Sequence, residues 1–150
     1  MLQEQAVKAK EADTPLHARP GSACFACGKD NPQGLRIRFH RTGNGDMAAV
    51  WTPETVWEGF NGIIHGGVIS TVLDEAMSKA MAAAGVEALT AELRVRFRRH
   101  VVAGQAMRLR GWIISQNRRL ARAEATLTGD GEAEYAHAWA TFLTLKDRTS

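Results

Sequence analysis

Along this chain apolar and polar positions alternate with a period of two over most of the length, and a helical period takes over once. The change comes in residues 66–84, where Val68, Ile69, Val72, Leu73, Ala76, Met77, Ala80, Met81 and Ala84 fall on one broad helix stripe. That spacing predicts a buried helix. Opposite the stripe lie Gly67, Ser70, Thr71, Asp74 and Ser78, a narrow polar strip whose ionisable group is Asp74, so an acid is expected in a crevice. Gly85 follows at the position where a helix end turns left-handed.

The rest of the pattern predicts strands. Residues 35–40 alternate strictly, and beyond Gly43, Asn44 and Gly45 residues 47–51 supply a hairpin partner. Residues 89–102 place Leu89, Ala91, Leu93, Val95 and Phe97 on one face, and Thr90, Glu92, Arg94, Arg96 and Arg98 on the other. Residues 105–117, 120–128 and 132–145 add three more strands joined by short turns; the last is apolar on much of both faces, which predicts an interior place in the sheet. Trp57 and Phe60 flank the loop into the helix, as core caps or as walls of a ligand pocket. The order β-β-α-β-β-β-β predicts an α+β domain in which an antiparallel sheet of about six strands curves around one long helix. One helix cannot cover both faces of such a sheet, so self-association into a homo-oligomer is expected.

A length of 150 residues with 45% apolar content suits one domain with a real core. Residues 1–22 are polar, with Pro15 and Pro20, and read as a loose helix and linker; the folded domain is read as 23–146, with 147–150 a tail. The net charge of +3 is modest and the basic residues cluster, which favours an anionic small molecule over nucleic acid. The absence of an apolar leader or an 18-residue apolar run leads to the expectation of a cytoplasmic protein that does not span a membrane. Cys24 and Cys27, the two cysteines, are too few for a disulfide framework. They could form half of a zinc site with His17 or His40, but a structural zinc wants four ligands, and the plainer reading is a turn of packed thiols beside the sheet. No metal and no redox cofactor is expected.

The helix start carries candidate chemistry. His65, Gly66 and Gly67 leave the first amides uncovered by any side chain, at the positive end of the helix dipole, where an oxygen gaining negative charge is favoured. Asp74 is eight positions beyond Gly66, about 12 Å along the axis at about 1.5 Å per residue. A carbonyl held at Gly66 cannot touch Asp74 of the same helix, so a shared reaction needs a second copy.

The run HGGVISTVLDEA, with a glycine loop before it and an arginine-rich strand after it, resembles the helix signature of hotdog-fold acyl-CoA thioesterases of the phenylacetate-pathway type. The upstream segment CFACGKDNPQGLRIRF resembles a subgroup of these with a C-x-x-C-G…N-x-x-G-L opening, and the matches cover most of residues 24–146. The resemblance implies a hotdog fold and hydrolysis of acyl-CoA by a dimer or dimer of dimers. The amides of Gly66 and Gly67 would polarise the thioester carbonyl, and Asp74 of the partner chain would act as base or nucleophile. Thr90 would help to hold the water, although its alternation puts it on the arginine face unless a bulge turns it. His65 is either a general base or a cap that fixes the loop, and the cap is the plainer role. Glu75 and Asn61 fall at candidate substrate-binding positions; Glu75 also stands four before Lys79, a helical ion-pair spacing that is the favoured role. Arg96, Arg98 and Arg99 are candidate partners for the phosphates of coenzyme A. Trp57, Phe60, Met77 and Met81 would admit an aromatic or a medium aliphatic acyl group.

One position departs from the family pattern: where many relatives have an Asn six residues before the His, this chain has Gly59. Two other readings stay open. A hydratase or dehydratase would use Glu75 with a loop His, but Asn61 stands where that His belongs. A non-catalytic acyl-CoA-binding module would leave Asp74 solvated in its crevice, yet a binder of apolar chains gains nothing from a desolvated acid.

Overall fold

The structure is a computed structural model that describes residues 23–145, so the expected N-terminal helix and linker and the C-terminal tail lie outside the described residues. In chain order the elements are β1 (His40–Arg41), β2 (Met47–Trp51), β3 (Glu58–Phe60), β4 (Ile63–Ile64), α1 (Gly66–Ala83), β5 (Ala88–Phe97), β6 (Met107–Gln116), β7 (Leu120–Thr128) and β8 (Glu134–Thr144). Six strands form one antiparallel sheet in the order β1-β2-β6-β7-β8-β5, and β3 with β4 makes a separate hairpin. As expected, β8 lies inside the sheet, laddered on β7 and β5.

The helix is held by burial rather than by propensity. Its Gly, Ser, Thr, Val and Ile residues are weak formers, each costing up to about 1 kcal/mol against Ala. Against that, Ile69, Val72, Leu73, Ala76, Met77, Ala80 and Met81 are all buried on the sheet, and each large one contributes about 1.5–3 kcal/mol. Burial wins. Met77 and Met81 are fully inside this core, so they do not line a pocket as expected. The stripe frays at its ends, with Val68 half-buried and Ala84 exposed as the C-cap ahead of Gly85 at φ 73°.

The sheet lets the helix sit very low. Ala123, Ala125, Ala136, Ala138 and Ala140 make its middle shallow, and at Gly111 of β6 there is no side chain at all. A Cβ on Gly111 would lie 2.3 Å from the carbonyl oxygen of Ala76 and 2.5 Å from its carbon, so helix backbone rests on strand backbone.

Four details differ from the sequence pattern. First, Leu35 and Ile37 are buried as the alternation predicts, but the ladder shrinks to His40 and Arg41. Arg36 adopts φ 53°, and the N–H groups of Leu35 and Ile37 donate to the carbonyls of Phe25 and Ala26 instead. Second, β5 ends at Phe97, because the N–H groups of Arg98 and Arg99 both turn to the carbonyl of Tyr135, while Val102 bridges Ile63. Third, the loop before the helix contains the β3–β4 hairpin, with Asn61 and Gly62 at its turn and Gly62 at φ 80°, a pairing that Asn-Gly favours. Trp57 stacks on Trp51 with ring centroids 6.1 Å apart and caps the core, whereas Phe60 is 80% exposed and does not. Fourth, the register of β5 on β8 runs from Thr90 opposite Phe142 to Glu92 opposite Thr141, which leaves Ala91 as the extra residue of a bulge. Phe142 points into the core, so the bulge puts Thr90 on the helix side of the sheet with Leu93 and Val95.

The close contact at Gly111 predicts that Gly111→Ala forces the helix off the sheet and costs about 3 kcal/mol or more, the upper range for overpacking. Thermal unfolding should then fall by roughly 10 °C, while Gly43→Ala, with nothing within 4 Å of the added carbon, stays close to wild type. Equal melting temperatures for Gly111→Ala and wild type would contradict the packing argument.

Candidate active site

The site begins at the N-terminus of α1. His65 is its N-cap, with extended backbone (φ −58°, ψ 133°), and its Nδ1 accepts the Gly67 N–H at 2.8 Å. The neutral ring therefore carries its proton on Nε2. The His65 N–H in turn donates to the Trp57 carbonyl at 2.9 Å. Gly59 lies against this residue: a Cβ there would stand 3.1 Å from His65 Cα and 3.3 Å from its Cδ2. A side chain at position 59 would crowd His65, and glycine leaves room for the capping ring.

Of the two amides expected to be bare, Gly67 is committed to His65 and is corrected accordingly. The Gly66 N–H, at the first helical position, has no acceptor among the described residues and lies at the surface. Beside it is the ring of Phe97 from the end of β5, whose Cζ would be 3.5 Å from a Cβ on Gly66. The sequence pattern marked Phe97 only as a core-side strand residue. Further along the polar strip, Ser70 and Thr71 donate their hydroxyls to the carbonyls of Gly66 and Gly67, both at 2.9 Å, as hydroxyls inside helices tend to do. Asp74 is left as the ionisable group of the strip.

Two turns on, Asp74 Oδ1 accepts a hydrogen bond from Thr90 Oγ1 at 2.7 Å. This contact exists because the bulge at Ala91 turns Thr90 off the arginine face. Burial lifts the Asp74 carboxyl above the ordinary carboxylate range; the Thr90 hydrogen bond pulls the other way, and the charge of Glu75 adds a smaller upward push.

The next residue points elsewhere, since neighbours on a helix are about 100° apart. Glu75 Oε1 lies 3.9 Å from Lys79 Nζ, the expected ion pair, and Oε2 lies 3.9 Å from Cys24 Sγ. The expected substrate-binding place for Glu75 is therefore replaced by one against Cys24 and Cys27, a turn that packs on the helix and lies near Met47 of β2 as well. Burial first, then the hydrogen bond and charge of Glu75, push the Cys27 thiol up to about 12, while Lys79 pulls it down.

The arginines gather at the other end of β5. Arg96 is opposite His137, Arg98 Nε lies 3.1 Å from Glu134 Oε1, and Arg99 stands over the Tyr135 ring at 5.9 Å. Asn61 is exposed on the hairpin turn. One protomer thus presents Gly66, Phe97 and the arginines at the end of β5, and Asp74 with Thr90 at its start.

A curved six-stranded antiparallel sheet around a single helix that presents an acid and a bare N-terminal amide along an edge strand is a hotdog fold. The family model of the Thioesterase superfamily matches residues 61–136, just over half of the 150 residues, and the chain belongs to that superfamily. The match includes Asp74 and Thr90 and begins well after Cys24 and Cys27. No curated protein matches the sequence. Among solved structures, a protein of the thioesterase superfamily superposes with a TM-score of 0.78 at 18% identity, over 93% of this chain and 78% of that one. A Streptococcus mutans protein bound to acetyl-CoA gives a TM-score of 0.68 at 18% identity, over 73% and 88%. The Escherichia coli PaaI protein of the phenylacetic acid degradation operon gives 0.68 at 16% identity, over 73% and 83%. At such identities the likeness is one of fold. Among the described residues no helix is long and apolar enough to cross a membrane.

The raised pKa of Asp74 has a consequence for stability. A carboxyl that holds its proton more tightly when folded stabilises the fold below its unfolded value, about 3.9, and loses that contribution as pH rises through the folded value. The charged form is thus a burden at neutral pH, and Asp74→Asn should melt at a higher temperature than wild type at pH 7. The gap should close as pH falls toward 4; a pH-independent difference in paired melting curves would exclude this origin.

Proposed function

We propose that the protein hydrolyses acyl-CoA thioesters as a homodimer whose two sites are each built from both chains. The observation that carries this is the separation of the Gly66 amide from the Asp74–Thr90 pair along one helix. β5 is an edge strand whose helix side carries half-exposed Leu93 and Val95 and the exposed Phe97. A two-fold axis at its middle would pair two such edges antiparallel and set the start of each β5 against the end of the other. Asp74 and Thr90 of one protomer would then face Gly66 and Phe97 of its partner.

In that arrangement the Gly66 N–H and the helix dipole hold the thioester oxygen as it becomes an oxyanion. Asp74, made more basic by burial, takes a proton from a water held against Thr90 as the water oxygen attacks the carbonyl carbon. The tetrahedral intermediate collapses, the C–S bond breaks, and the departing sulfur receives the proton from Asp74, giving free acid and CoA. Direct attack by the Asp74 carboxylate, followed by hydrolysis of the anhydride, uses the same atoms. Arg96, Arg98 and Arg99 supply charge for the phosphates, near the helix end that holds the carbonyl. The related fold solved with acetyl-CoA supports this class of substrate. A cytoplasmic location goes with this reading. A module that only binds acyl-CoA would retain the cost of a partly desolvated acid without using it.

The decisive experiment is release of CoA from a panel of aryl and aliphatic acyl-CoAs, with Asp74→Asn beside wild type and both checked for folding. Loss of activity by about 100-fold or more is expected, and binding without CoA release by wild type would leave only the binding module. The shared site is tested with Gly66→Pro, which removes the amide at a position where proline suits a helix start and where the extended backbone of His65 tolerates it. Heterodimers of Gly66→Pro and Asp74→Asn chains should regain about half of wild-type activity, through one intact site of two. Inactive, well-folded heterodimers would exclude sharing. Charge reversal at Arg98 and Arg99 should raise KM for CoA esters about 10-fold or more, at roughly 1.4 kcal/mol per factor of ten, and leave short non-CoA thioesters unaffected; an equal change for both would remove the phosphate contact.

A further inference from the structure

We infer that Cys24, Cys27 and Glu75 form a binding site for a thiophilic divalent cation such as zinc, which ties the N-terminal turn to the helix that carries Asp74. The sulfur atoms of the two cysteines and a carboxylate oxygen of Glu75 all lie within 4.8 Å of one another, and Cys24 Sγ is 3.9 Å from Glu75 Oε2. Ligands of a tetrahedral zinc, at about 2.3 Å for sulfur and 2.0–2.2 Å for oxygen, stand about 3.5–3.8 Å apart. Small side-chain rotations close that difference. All three residues are half-buried, so an ion can reach them.

The surrounding chain is built to hold the two thiols. The C-x-x-C turn is closed by the Gly28 N–H donating to the Cys24 carbonyl at 2.8 Å. Asn31 Nδ2 donates to the Ala23 carbonyl at 3.1 Å, and the Leu35 N–H donates to the Phe25 carbonyl at 2.7 Å. Gly34 is required for this approach, since a Cβ there would be 2.8 Å from the Phe25 oxygen. Asn31, Gly34 and Leu35 are the N-x-x-G-L residues of the sequence, and their place in the fold is to clamp the turn between the cysteines from outside. A rigid pair of sulfurs at C-x-x-C spacing is what a zinc turn needs.

Charge and softness agree with that ligand. Two thiolates and one carboxylate around a divalent ion leave a net charge of −1, and Lys79, 3.9 Å from the other Glu75 oxygen, supplies the balancing +1. Thiolate ligands select zinc-like ions over magnesium or calcium. Coordination sends both thiol protons to solvent, and a water takes the fourth position, so the ion is held by three protein ligands where a closed structural zinc site has four. The site lies on the side of α1 turned away from Asp74's strip, so its role is to fix the helix and not to meet the acyl group.

Titration of the reduced full-length protein with cobalt(II) tests this, because thiolate ligation gives a near-ultraviolet charge-transfer band that other ligation lacks. One equivalent should bind, zinc should displace it, and Cys24→Ser and Cys27→Ser should each lose charge-transfer intensity. Glu75→Gln keeps both thiols and the clamp but replaces an anionic ligand by a neutral amide, and should weaken affinity by about 10-fold or more, at roughly 1.4 kcal/mol per factor of ten, which decides the matter if a cysteine variant fails to fold. Three results would overturn the site: no charge-transfer band in folded wild type, equal affinity in Glu75→Gln, or thiol counts showing that the native protein carries a 24–27 disulfide. CoA release is measured separately, so failure here leaves the thioesterase reading untouched.

Discussion

The contact between the carbonyl of Ala76 and the bare backbone of Gly111 sets the depth at which the helix lies on the sheet, and most other features follow from that depth. With helix backbone on strand backbone, the surrounding strands can carry little more than alanine beneath the helix, which accounts for the row of alanines on β7 and β8. A low helix also brings its side strip level with the edge strand β5. That is why Asp74 meets Thr90 at hydrogen-bond distance and why Phe97 comes to lie beside Gly66.

The same geometry divides the chemistry. A helix rises about 1.5 Å per residue, so a donor at its first turn and an acid two turns later stand too far apart to meet on one small group. The edge strand repeats that division, with Thr90 at one end and the arginines at the other. Its unpaired backbone and its half-exposed apolar side chains are what an antiparallel partner would cover. On the proposed reading, association and catalysis are one structural problem: the edge that a partner would cover is the edge along which Gly66 and the Asp74–Thr90 pair are laid out.

Two local irregularities do work that a regular lattice could not. The bulge at Ala91 shifts one residue of β5 across the sheet, and so converts a strand position that alternation assigns to the arginine face into the neighbour of the half-buried acid. The left-handed Arg36 bends the next segment away from β2 and onto the cysteine turn, where its amides satisfy the carbonyls of Phe25 and Ala26. The bulge changes pairing by one residue and the turn at Arg36 removes most of a ladder, and each decides which chemistry-bearing side chain faces which.

The sequence by itself determined the elements whose signal is local or periodic. The apolar stripe of residues 66–84, the strands at 47–51 and 120–128, the interior place of the last strand, and the isolated acid of the polar strip were all legible from spacing. So was the His65 cap, because capping acts within one turn. Tertiary structure decided what depends on approach across the sheet: the bulge under Thr90, the loss of the Gly67 amide to His65, the burial of Met77 and Met81, the partnership of Glu75 with Cys24, and the need for Gly111. The physical reason is range. Periodicity reports which face of an element is apolar, but hydrogen-bond partners and close backbone contacts between residues as distant as 24 and 75, or 76 and 111, are chosen only when the elements are brought together.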